Sequence, residues 1–372
     1  MFKIFLVQVK KNLGKIRLYS RKKKYRKTAA ISVYFLMIAL VGFVLVTYTR
    51  AGKSFSVIGM AGGGSQEAEQ PGNENISPLS GLACDNFNQR PFAVMLANDT
   101  AARPLSGLSE ADMVFEMQVV QNSITRLMAV FLCNSPKEIG SIRSARHPYI
   151  PLAMGLNAIY AHWGGSHFAL DKLNAHIMDN IDALKNPFSA YYRKSGIAAP
   201  HNGFTSIGNL ENSAEKLGYG LADNFNGYPH YTSEQLAATG KQDQKIKINY
   251  TYPWNVEWDY KAEKNSYFRL RGNKPEIDKN NGQQVEAKVV AIMYAKSTEL
   301  EGQYNDVAVS GSGDLVVYQN GEEIKGTWKK DVADMKSKLY FLDENGQEIK
   351  FVPGQIWVEI IEPGKYATYV TY

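Results

Sequence analysis

IGSIRSARHP at residues 139–148, followed by AIYAHWGGSH at residues 158–167, is the stretch from which the fold is read. Ser144 predicts an N-cap for a helix running to Gly155, confined or broken by Pro148 and Pro151. On such a helix Arg143 and Arg146, three residues apart, share one face. The apolar run Ala158–Ala161 then predicts a strand, and Gly164-Gly165-Ser166 turns it into a second helix with Phe168, Leu170, Leu173 and Ile177 as its apolar positions. Strands alternating with helices imply a layered α/β arrangement.

Upstream, three apolar runs of strand length follow one another at Pro91–Ala97, Met113–Val120 and Ile124–Cys133. Downstream, Thr205 or Ser206 caps a further helix that reaches Leu217 and stops at Gly218. The pattern loosens between Gly227 and Gly240, which places a domain boundary there. From Lys245 onward the apolar residues recur at period two, and Asn320-Gly321 and Asn345-Gly346 between strand-like runs are hairpin turns. The expected fold is an α+β, or mixed α/β, domain over residues 79–235, followed by a smaller, mostly antiparallel β domain over residues 245–372.

The net charge of +6 is unevenly spread. Residues 1–27 hold eleven of the 42 Lys and Arg and no acid, so the remaining 345 residues carry 31 basic against 36 acidic side chains. The folded part therefore lacks the basic excess of a nucleic-acid binder. Thr28–Thr49 is free of charge and mostly apolar, long enough to cross a bilayer as one helix. Lys22, Lys23, Lys24, Arg26 and Lys27 directly before it put the N-terminal arm in the cytoplasm and everything after Arg50 outside. A cleaved signal peptide, with Gly59-Met60-Ala61 as its site, is the rival, but the apolar run exceeds a signal core and the site lies well beyond its end. Residues 50–78, rich in Gly, Ser, Gln and Glu, form a flexible linker. Cys84 and Cys133 fall in the exported part, either as a disulfide or as two free thiols.

Polar chemistry concentrates in the first domain. Arg143 and Arg146, with Ser141, Ser144 and the donors of a helix start, suit an anion such as phosphate or carboxylate. The bland alternative pairs these arginines with Glu110, Asp112 or Glu116. His162 at a strand end is a candidate general acid or base, and Ser166 an anion-binding hydroxyl or helix cap. Ser166 lacks the closing glycine of a nucleophile elbow. His201 and Asn202 project from a loop, and Glu116 with Arg126 form either a buried pair or part of a site. The histidines and cysteines show no metal-ligand spacing, so neither metal nor cofactor is expected.

Taken together, these residues resemble the YerB-like family of bacterial exported or lipoprotein-type proteins, a domain pair without assigned activity. The likeness covers nearly all of Leu79–Tyr372. It runs through Arg90–Met95, Ala102-Arg103-Pro104 with Ser106-Gly107-Leu108, Ala111–Glu116, Ile124–Phe131, Arg143–Arg146, His162 with Gly164-Gly165-Ser166, Ala199–Asn202, Gly326–Lys330 and Pro353-Gly354-Gln355. The family pattern has Asp-Asn where this chain has Ala97-Asn98, Glu-Gly-Gly near Val120–Ser123, and Gln at Leu105. It also uses a lipid anchor where this chain has an apolar span. The resemblance implies a mixed α/β domain followed by a β-rich one. The reading that results is an extracytoplasmic protein anchored in the membrane by Thr28–Thr49. Its anionic cell-envelope ligand or peptide would sit in a crevice of Arg103, Arg126, Arg143, Arg146, His162, Ser166, His201 and Asn202. The alternatives are an envelope hydrolase with His162, His201 or Glu116 as its acid or base, and a non-catalytic scaffold that recruits a membrane partner.

Overall fold

A computed structural model of the chain describes residues 75–223, 225–232 and 242–364, with residues 367–371 as backbone. The basic arm, the Thr28–Thr49 span and nearly all of the linker lie outside the described residues. Among the described residues, no helix is long and apolar enough to cross a membrane.

The described part is mostly β, with three short α-helices at Tyr149–Gly155, His167–Asn174 and Ile207–Lys216. Ten strands form one mixed sheet. Its spatial order is Tyr340–Asp343, Glu322–Lys330, Gly311–Gln319, Val289–Tyr294, Ile356–Ile361, Met113–Gln118, Thr125–Phe131, Phe92–Leu96, Ile159–His162 and Asn180–Asp182. Both halves of the chain contribute five strands. They join where Ile356–Ile361 runs parallel to Val289–Tyr294 on one side and to Met113–Gln118 on the other. The second half is thus not purely antiparallel: every residue of Ile356–Ile361 is buried, as expected of a parallel strand covered on both faces.

Strand alternation divides the sheet into two faces. One carries Met113, Phe115, Met128 and Val130 and packs on Tyr149, Ile150, Ala153 and Leu173 of the first two helices. The other carries Val114, Leu127, Ala129 and Trp357 and is covered by a second sheet through Ile246, Trp258 and Tyr267, and by Leu210 and Ala214 of the third helix. That second sheet is ordered Lys274–Pro275, Ser266–Arg271, Val256–Lys261, Gln244–Ile248 and Ala367–Thr371, with Glu286–Ala287 also pairing Ser266–Arg271.

Local signals fix most boundaries. The Ser166 Oγ accepts from the Ala169 N–H at 3.3 Å and the Ser206 Oγ from the Asn209 N–H at 3.2 Å, so both serines cap their helices. Asn320 and Gly321, at φ 53° and 66°, close the turn between Gly311–Gln319 and Glu322–Lys330.

The expected helix from Ser144 does not form. It starts at Tyr149, after Pro148, and Arg143 and Arg146 lie on irregular extended chain. The backbone donors of that segment are engaged elsewhere: Arg143 N–H bonds to Met95 O and Ala145 N–H to Gly164 O, both at 2.8 Å. Pro151 is tolerated because it occupies the first helical turn, where its missing N–H has no partner to lose. Cys84 and Cys133 are joined in a disulfide, with Cα atoms 5.1 Å apart.

Candidate functional site

Asn98-Asp99 follows the first strand of the sheet, and Thr125-Arg126 begins the strand beside it. Because neighbours along extended chain point to opposite sides, each dipeptide sends one residue to either face. Asp99 and Arg126 meet on the helix side, where Arg126 Nη1 lies 3.3 Å and Arg143 Nε 3.6 Å from the same Asp99 oxygen. Arg126 is the deepest, with 5% of its side chain exposed against 21% for Arg143 and 24% for Asp99. Arg146 donates to Ala145 O at 2.9 Å and holds its guanidinium 5.9 Å from the Tyr304 ring.

Burial lowers the pKa of Arg126 to about 10, opposed by Asp99 and reinforced by Arg143 and Arg146. The arginines therefore sense one another as like charges. Burial also lowers His201, against Asp99 and with Arg143 and Arg126. The Nε atoms of Arg126, Arg143 and Arg146, the Ser141 Oγ and the His201 Nδ1 are buried without a hydrogen-bond partner. Three guanidiniums facing one carboxylate, with unmatched donors, make this an acceptor for anions.

Asn98 and Thr125 look the other way, into a sealed ionic network between the sheets. Thr125 Oγ1 donates to Glu116 Oε1 at 2.6 Å, and Asn98 Nδ2 to the same oxygen at 3.0 Å. Arg269 bonds to Glu116, to Glu276 at 2.7 Å and to Glu359 at 2.5 Å, while Arg271 bonds to Glu116 at 2.5 Å and to Glu276 at 3.2 Å. The Arg269 guanidinium is 3.9 Å from the Trp357 ring centroid and 4.7 Å from that of Trp258. Burial alone would raise Glu276, yet Arg271 and Arg269 hold it down at about 2. Glu359 is pushed up to about 7 by burial and by Glu116, against the pull of Arg269.

Glu116 and Glu359 face each other in parallel register. With Glu359 protonated, two carboxylates balance two arginines. Glu116, Arg269 and Glu359 are all fully buried, so this network is a wall behind the site. A Glu116–Arg126 pair does not form: Glu116 aligns with Leu127, and Arg126 points to the opposite face.

The remaining sequence candidates scatter around these two centres. Arg103 donates to Asn98 O at 2.8 Å, and its pKa falls to about 10 through burial and Arg271, so it belongs with the ionic network. His162 is fully buried, its Nδ1 2.8 Å from Gly164 O and its Nε2 3.2 Å from Asn180 Oδ1. Burial lowers its pKa despite nearby Asp182. Ser166 is engaged as the helix cap. Asn202 accepts from Arg193 at 2.6 Å, and that guanidinium stacks on Trp163 with 4.2 Å to the ring centroid.

Asp99, Arg193, Arg269, Arg271 and Glu359 are missed by sequence reasoning. The signal available was a charge at an inward position of a period-two strand, which Arg269, Arg271 and Glu359 all show. Glu110 and Asp112 do not serve the arginines: Asp112 caps the Leu132 and Cys133 N–H groups at 2.8 and 3.1 Å. Among the described residues, no group of three or more His, Cys, Asp or Glu side chains is placed to hold a metal ion.

Comparison with known proteins agrees with this organisation. Residues 79–220 match the N-terminal domain, and residues 246–358 the C-terminal domain, of a protein of unknown function, DUF3048. The chain is 29% identical over 290 residues to the "Putative lipoprotein YerB" of Bacillus subtilis (strain 168), covering 77% of this chain and 86% of that protein. The crystal structure of YerB from Bacillus subtilis superposes with a TM-score of 0.71 at 27% identity, over 80% of this chain and 99% of that one. With both domain matches in order along one chain and the same fold in a solved relative, this protein belongs to the YerB-like family of DUF3048 proteins.

Proposed function

We propose that this is an extracytoplasmic protein, anchored in the membrane by Thr28–Thr49 with its N-terminus in the cytoplasm, that binds an anionic cell-envelope ligand at Arg126, Arg143, Arg146 and His201. The observation that carries the reading is the uncompensated charge of three arginines around Asp99, with their Nε donors unmatched. The Cys84–Cys133 disulfide supports the location, since such bonds persist in oxidising compartments, and the lipoprotein description of the Bacillus relative agrees with it. His162, walled in by Gly164 and Asn180, gives no support to hydrolysis.

A ligand that binds only the folded state raises the melting temperature with its concentration. Titrating the parent protein with a panel of phosphates, sugar acids and peptidoglycan fragments is expected to raise its melting temperature for at least one class. Arg143→Ala/Arg146→Ala, with unchanged circular dichroism, is expected to lose that rise. A parent whose melting temperature none of the panel moves would sink the proposal.

A further inference from the structure

We infer that the group held by Arg126, Arg143 and Arg146 is a phosphoryl group, and that Asp99 is the internal counterion it displaces; this rests on the anion-binding reading above and narrows it. Asp99 already shows what a carboxylate achieves here. It reaches Arg126 at 3.3 Å and Arg143 at 3.6 Å, both longer than the roughly 2.7–2.9 Å of a well-formed guanidinium–carboxylate bond. Its oxygens leave the Nε atoms of Arg126, Arg143 and Arg146 without an acceptor, along with the Ser141 Oγ. Arg126 is nine-tenths buried, so its unmatched donor is not turned to bulk solvent.

A second carboxylate would repeat the fit of the first: two oxygens in one plane, answering one fork. A phosphoryl group offers three oxygens in a tetrahedral arrangement and about two negative charges. It can accept from forks arriving from different directions, and its charge matches the excess of three guanidiniums over one carboxylate. The mouth is formed by Arg146 beneath the Tyr304 ring, so whatever the phosphoryl group is attached to leaves past an aromatic edge.

The test is calorimetric titration of the full chain in maltoside micelles with inorganic phosphate, pyrophosphate, acetate and malonate, the last a dianion without tetrahedral oxygens. Phosphate and pyrophosphate are expected to bind at least about tenfold tighter than malonate, the loss of one charged hydrogen bond. Arg143→Lys keeps the charge and removes the fork, so it is expected to weaken phosphate about tenfold and leave malonate nearly unchanged. Asp99→Asn is expected to tighten phosphate severalfold by removing its competitor. Glycerol phosphate against dihexanoyl phosphatidic acid separates a free or polymer-borne phosphate ester from a lipid headgroup; preference for either upholds the inference. Equal affinity for phosphate and malonate overturns the phosphoryl assignment and leaves anion binding standing. A folded parent that binds neither the soluble anions nor the phosphatidic acid overturns both.

Discussion

Glu359 shares the inner face of the central sheet with Glu116, and Arg269 bridges the two. The pair sits where water cannot screen it, so one carboxylate retains a proton to a higher pH than it would in solution. Glu359 titrates at about 7 in the folded chain against an ordinary 4.5. Between those values the folded state holds a proton that the unfolded state has released, so stability falls as pH rises through the window and levels off above about 7. Glu276, held at about 2, acts oppositely: its contribution is complete above its ordinary value and is lost as pH falls toward 2. Glu359→Gln is expected to flatten the decline in urea midpoint between about pH 5 and 7; an unaltered slope would place the proton elsewhere. The sequence marks Glu116 as a charge inside an apolar strand, and that much was legible. Its partners, Arg269 and Arg271, stand more than 150 residues away, and no local pattern could point to them.

At the scale of elements, the local signals that succeeded are those whose physics is complete within a few residues. Ser166 and Ser206 cap helices because a hydroxyl two or three residues ahead of a free N–H needs nothing further. Asn320-Gly321 closes its hairpin because both residues adopt the left-handed region that the turn demands. Gly321 is constrained twice, by φ 66° and by the Tyr260 ring, 2.8 Å from where a Cβ would stand. Gly321→Ala is therefore expected to cost about 1–2 kcal/mol from backbone conformation alone, read from denaturant unfolding. A neutral result would mean that the turn and Tyr260 relax without cost. The Ser144 helix failed for the complementary reason. A cap signal competes with every other partner the backbone can find, and Met95 and Gly164 offered better ones. Arg143 and Arg146 still reach one region of space, through extended chain and not through helical spacing.

The whole molecule is held across its halves by a shared sheet, and its N-terminal edge by a covalent link. Cys84–Cys133 closes a loop with a sequence separation of 49. By loop entropy, that link is worth about 4 kcal/mol. Cys84→Ser/Cys133→Ser is expected to lower the unfolding free energy by that order, and reductant is expected to act on the parent alone. Equal stability with and without reductant would mean the loop is already constrained by its neighbours. Composition and charge, read along the chain, set the apolar span, the linker and the absence of a basic folded surface, because each is a property of a contiguous segment. Period-two alternation likewise set which side chains of each strand share a face. Which strands become neighbours was decided only by the tertiary structure. Ile356–Ile361 is inserted beside Met113–Gln118 because both strands are apolar on both faces and need cover on each. The same docking buries Glu116 against Arg269 and Arg271 and leaves Arg126, Arg143 and Arg146 with one carboxylate among them. That charge imbalance depends on distances between remote segments, and so no stretch of the sequence contains it.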